Sequence, residues 1–189
     1  MTLTTLDSQT ALIVVDLQKG IVGLPFPHPI DGVVAHACAL TAAFRHHGLP
    51  VVLVNVAGTA PGRTEQPPRM RGPLPADWTG LIPELNQQAS DIVVTKRTWG
   101  AFASTDLEQQ LRRRGVTQVV LSGVATGTGV ESTARQAYEA GFNVTFAIDA
   151  MTDGRPEAHD YSLSNVFPRL GETGTTQAII DLLDKDAYK

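Results

Sequence analysis

Residues 116–149 read VTQVVLSGVATGTGVESTARQAYEAGFNVTFAID. An apolar run leads into a Gly- and Thr-rich turn. A stretch follows in which Val130, Ala134, Ala137 and Tyr138 recur at helical spacing, Gly141 stops it, and a second apolar run begins. Neither run alternates cleanly between polar and apolar, so both faces of each strand are expected to be covered, as in a parallel sheet. Parallel neighbours need a crossover of a dozen or more residues, and the segment between them supplies it.

The same grammar extends outward. Val- and Ile-rich runs recur as ALIVV ending at Asp16, VVLVNV from Val51 and DIVV ending near Lys96. Between Gly32 and Gly48, the residues Val33, Ala37, Leu40 and Phe44 form one helical stripe. TDLEQQLRRRG offers a capping box of Thr105 with Glu108, arginines in the last turn and Gly115 as terminator. A last helix, TTQAIIDLL, follows the Gly-rich turn LGETGT. Strand and helix alternating in this way predict an α/β doubly wound sheet. Residues 57–79, rich in Pro, Gly and Arg, break the rhythm as a long functional or mobile loop.

Composition narrows the function. Of 189 residues, 42% are hydrophobic and 18% charged, which excludes a disordered chain, and no run is long enough to span a bilayer. A net charge of −4 argues against a nucleic-acid or anionic-membrane binder. One cysteine, Cys38, excludes a disulfide framework and any multi-cysteine metal site. Cys38 is expected mid-helix, as a small buried hydrophobe. No secretory signal is visible, so the expectation is a cytoplasmic protein of one domain, residues 1–189, without partners among nucleic acids or membranes.

In an open α/β sheet the ligand lies beyond the carboxyl ends of the strands. The polar residues there are Asp16, Asn55, Lys96 and the turn GVATGTG. Asp16 and Lys96 adjoin otherwise dry strands, as functional groups or as a structural ion pair.

ALIVVDLQKG, VVTKRTWGAFASTDL and VVLSGVATGTGVESTARQAYEAGFNVTFAIDA resemble, in order and spacing, the signature segments of the isochorismatase-like hydrolases, the cysteine-hydrolase superfamily. The resemblance covers most of the chain. It implies a mainly parallel six-stranded sheet, order 3-2-1-4-5-6, with helices on both faces, and a homodimer or higher oligomer. It also implies an Asp-Lys-Cys triad, of which Asp16 and Lys96 are present. Gly129 stands where the cysteine would be, so an acyl-enzyme route through a thiolate is closed at this position. Isochorismatases proper also carry glycine there and hydrolyse a vinyl ether, with the first-segment aspartate as general acid. The catalytic set is therefore Asp16, Lys96 and Gly129. The expected substrate-binding set is Gln18, Asn55, Trp99, Phe102, Val124, Ala125 and Thr126, with a cis bond joining Val124 to Ala125 and Trp99 and Phe102 as an aromatic wall. The substrate is a small carboxylate or an amide, and no cofactor or metal is expected. The alternatives are an amidohydrolase relative inactivated naturally or by Cys-to-Gly substitution, and a non-catalytic carboxylate-binding protein.

Other signals are weaker. Arg63, Arg69, Arg71 and Arg97 are candidate partners of substrate carboxylates, and the turn's backbone N–H groups are candidate anion holders. Thr126 and Thr128 bring hydroxyls near the missing thiol, but no histidine base is evident from the sequence. His28, His36 and His159 lack metal-ligand spacing, and adjacent His46 and His47 face a helix end. Asp149 and Asp153 read as caps.

Overall fold

Five strands form where the apolar runs predict them: β1 (Thr10–Val15), β2 (Val51–Val56), β3 (Ile92–Lys96), β4 (Gln118–Val124) and β5 (Asn143–Thr152). They belong to a computed structural model that describes residues 3–66 and 74–186, so Arg69 and Arg71 lie outside the described residues. The sixth strand, β6 (Glu172–Gly174), falls inside LGETGT, which reads as a turn. Three residues are too few to carry a period, and β6 exists through its pairing with Thr145–Ala147 of β5. All pairings are parallel, in the order β3-β2-β1-β4-β5-β6.

Among the described residues six α-helices accompany the sheet: α1 (Lys19–Val22), α2 (Ile30–His46), α3 (Leu107–Arg113), α4 (Glu131–Glu139), α5 (Pro156–Tyr161) and α6 (Thr176–Asp186). The predicted stripe of α2, Val33, Ala37, Leu40 and Phe44, is buried. Its Ala37, Leu40 and Phe44, with Ile179 and Leu183 of α6, pack on Leu12, Val14, Val51 and Leu53. The opposite face carries Leu107 and Leu111 of α3 and Ala134 and Ala137 of α4, against Ile13, Val15, Val52 and Val54. Alternate residues of each central strand thus serve different layers, which explains the unbroken hydrophobicity of the runs.

Four local expectations are corrected. β3 does alternate: Ile92, Val94 and Lys96 are buried, whereas Thr95 is exposed and Val93 is 42% exposed, because β3 is an edge strand open on one side. Tyr138 is 53% exposed and leaves the face shared by Ala134 and Ala137. The capping box does not form. Thr105 Oγ1 accepts from Leu107 N–H at 3.3 Å, but Glu108 turns one helical turn onward to Arg112, at 3.6 Å. Cys38 is half-buried, its Sγ donating to the Glu84 carbonyl at 3.1 Å.

The strand order reverses between β1 and β4, the place where open α/β sheets build their crevice. Gly123 permits the two strands to close there. Its φ is +108°, and a Cβ would stand 2.0 Å from the Val15 carbonyl oxygen.

Candidate active site

Asp16 follows the last residue of β1 with φ 54°, a left-handed conformation held by its N–H bonding the Val54 carbonyl at 2.9 Å. Lys96 ends β3 on the α3–α4 face. The two meet: Lys96 Nζ lies 2.7 Å from Asp16 Oδ2 and 3.3 Å from the Thr98 carbonyl. Both side chains are buried. Asp16 Oδ1 is buried with no hydrogen-bond partner among the described residues. Burial pushes the Asp16 carboxyl up from an ordinary 3.8 to about 6, against the charge and hydrogen bond of Lys96, which pull it down.

The third element is the turn after β4. The Val124–Ala125 bond is cis, and residues Thr126–Val130 form one wide π-helical turn that runs into α4. Gly129 is buried beside the carboxyl: a Cβ there would stand 3.3 Å from Asp16 Oδ2, 3.1 Å from Val15 Cγ1 and 3.2 Å from the Val124 carbonyl. Three N–H groups of the turn are already committed. Gly127 donates to Asp153 Oδ2 at 2.8 Å, and Thr128 and Val130 both donate to the Ala125 carbonyl at 3.1 Å.

The expected substrate contacts divide. Gln18 is wholly buried and fully engaged: its Nε2 donates to the Val56 and Trp78 carbonyls at 3.1 and 2.9 Å, and its Oε1 accepts from Val56 N–H at 2.7 Å. Gln18 therefore ties β2 to the segment around Trp78, and that segment is itself pinned to α1 by Lys19 N–H on the Gly80 carbonyl at 2.8 Å. So the described end of the long loop is anchored. Asn55 shares the α2 face with Val51 and Leu53, across the sheet from Lys96, and its buried Oδ1 has no partner among the described residues. Phe102 packs beside Phe142, ring centroids 5.9 Å apart, at the amino end of β5 and away from the carboxyl edge. Trp99 is 65% exposed, one residue beyond the Thr98 carbonyl that Lys96 Nζ meets. The Val124 side chain belongs to the α2-side core, leaving its backbone and Ala125 at the site. Arg97 Nη1 donates to the Ala57 carbonyl at 3.4 Å.

Thr126 is buried, and its Oγ1 lies 2.9 Å from His159 Nδ1. The absent histidine is thus present in space, 33 residues along the chain. His28 joins it, ring centroids 4.7 Å apart, with its own Nδ1 3.0 Å from Thr152 Oγ1. No spacing in the sequence announces this group, because its four members come from four separate segments. Asp149 Oδ1 accepts from Thr176 N–H, the first residue of α6, at 2.7 Å, as a cap would, whereas Asp153 Oδ1 accepts from Arg155 N–H at 3.0 Å, the residue before α5, and so orders the entry to that helix without capping it. A surface hollow of about 600 Å³ lined by Arg45, His47 and Arg114 lies at the amino ends of the strands, opposite this site.

The isochorismatase domain model matches residues 10–178. The isochorismatase family proteins YwoC of Bacillus subtilis and YecD of Escherichia coli O157:H7 are 43% and 44% identical over 182 residues, covering 92% of this chain and 93% and 96% of theirs. A solved isochorismatase family structure from Burkholderia thailandensis has a TM-score of 0.90 at 42% identity, over 95% of this chain and 98% of that one. A more distant relative, the ureidoacrylate amidohydrolase of Acinetobacter baylyi, is 29% identical over 203 residues, 92% of this chain and 83% of that protein. In its sequence over nearly its whole length, and in its fold, the chain belongs to the isochorismatase family of hydrolases.

Proposed function

We propose that this protein, read as one domain, hydrolyses a vinyl ether of a small carboxylate, with Asp16 as general acid and no covalent enzyme intermediate. One observation carries the reading: a buried carboxyl with pKa about 6, one oxygen unpartnered among the described residues, stands beside Gly129, which offers no side chain. A carboxyl of that pKa is half protonated near pH 6, where a proton donor is most effective. Asp16 gives its proton to the terminal alkene carbon, producing an oxocarbenium ion at the ether carbon. Water adds there and releases a proton to the carboxylate, and the hemiketal breaks to an alcohol and a 2-oxo acid. Lys96 fixes Oδ2, so the proton resides on Oδ1. We assign the substrate carboxylate to backbone N–H groups of the turn other than the three already bonded, those of Gly127, Thr128 and Val130. A positioned acid is worth about 10²–10⁴ in rate, so Asp16→Asn assayed for pyruvate release from isochorismate loses at least a hundredfold. Unchanged turnover ends this reading.

The amidohydrolase relative favours a second reading, a C–N hydrolase lineage whose nucleophile is now glycine. In that case Gly129→Cys gains activity on a panel of small amides, ureidoacrylate included. No gain alongside clear pyruvate release favours the first.

A further inference from the structure

We propose that His159, seated against His28, is the positioning residue for the turn that carries Gly129, and that the turn stays in place only while this imidazole is neutral. The inference rests on the reading above, in which Gly129 and Asp16 border the reacting atoms. The turn Thr126–Val130 is held from two sides. Its second half abuts Val15 and Asp16 at Gly129. Its first half is held by Thr126 on His159 Nδ1 and by Gly127 on Asp153. His159 comes from α5, His28 from the segment before α2, and Thr152, which fixes His28, ends β5.

The charge logic follows from the atoms. A neutral His159 with a bare Nδ1 accepts the Thr126 hydroxyl proton. An imidazolium has two donors and no acceptor, so that bond must reverse. The added charge would then face His28 from a nearly dry site. The other charged groups facing His159 are Asp153, at the end of β5, and Asp160, on its own helix, and both favour protonation. Burial and His28 outweigh them and lower its pKa, keeping the ring neutral at pH 7. The mechanism does not otherwise use buried His159 or the exposed His28 beside it.

The test has a readout that needs no substrate. In ¹⁵N–¹H spectra of the full chain, the amides of Gly127, Thr128, Gly129 and Val130 shift together on acidification, in step with the His159 ring protons. In His159→Asn, which keeps a polar atom where Nδ1 was but does not titrate, the same amides stay still. His159→Ala displaces them at every pH and lowers kcat about ten- to hundredfold with little change in KM, the scale of a small misplacement. His159→Asn retains most of kcat and loses the fall in rate on the acid side. Should His159→Ala not fold, Thr126→Val removes the other half of the contact and displaces the same amides. Turn amides that ignore His159 titration, or that are undisturbed in His159→Ala or Thr126→Val, overturn the proposal. Displaced amides in a protein without vinyl-ether turnover leave the positioning role standing and remove the proposed reaction.

Discussion

Lys96 Nζ and Asp16 Oδ2 stand 2.7 Å apart, yet the Asp16 carboxyl titrates near 6, above the ordinary range for an aspartate. An exposed pair at this distance would hold the proton off. Here burial opposes the lysine and wins.

The rate therefore depends on pH in a definite direction. Turnover of the vinyl ether declines tenfold per unit above about pH 6, as Asp16 loses its proton. In Lys96→Met the group that pulls the pKa down is gone, and the alkaline limb moves upward. Carboxyl ¹³C shifts of Asp16 measured against pH check this without any substrate. A limb that stays or moves downward contradicts it.

Stability carries the same signature with its own sign. The folded carboxyl titrates at about 6 and the unfolded one near 3.8, so its contribution is fully present below 3.8 and is lost as pH rises through 6. Asp16→Asn cannot titrate. Its Tm relative to the parent rises between pH 4 and pH 7, whatever its offset from leaving Lys96 unpaired, and a flat difference across that window refutes the assignment.

Gly129 is fitted without slack. Gly129→Cys puts a Cβ within 3.1–3.3 Å of Val15, Val124 and Asp16, which forces small shifts in a packed site. The cost of such overpacking is about 1–3 kcal/mol, a loss of roughly 3–10 °C in Tm for a chain of this size. Calorimetry reads it directly.

Gly123 tolerates less. Gly123→Ala would set a Cβ 2.0 Å from the Val15 oxygen at φ +108°. Because the neighbour is backbone of the central strand, the expected loss exceeds about 4 kcal/mol. The measurable result is an insoluble protein or a Tm lowered by more than about 10 °C.

Gln18 separates a structural from a substrate role. Gln18→Met keeps the volume but removes the bonds to Val56 and Trp78. With each buried group left unpaired costing about 1–3 kcal/mol, Tm falls and proteolysis near Trp78 quickens. A raised KM with unchanged Tm points instead to substrate contact.

The sheet was legible because its strands are buried on both faces and must be continuously apolar. Asp16 and Lys96 stood out for the same reason, as charges directly ending such runs. Side-chain direction was not legible. Phe102 turns toward Phe142, Gln18 spends its amide on backbone, and Asn55 falls on the far face, outcomes set by alternation and by partners distant in sequence. The Thr126–His159 contact spans 33 residues and two elements, so no local pattern encodes it. β6 escaped because three residues carry no periodicity.

Since β2 lies between β1 and β3, the lysine reaches its carboxylate across the width of an entire intervening strand, two interstrand steps or about 10 Å of backbone separation. A long unbranched stem bridges that gap with a compact head, whereas the broad planar fork of arginine would demand room above Val54 and Val56. A strand that donates no reacting group thereby dictates which cation its neighbour has to carry.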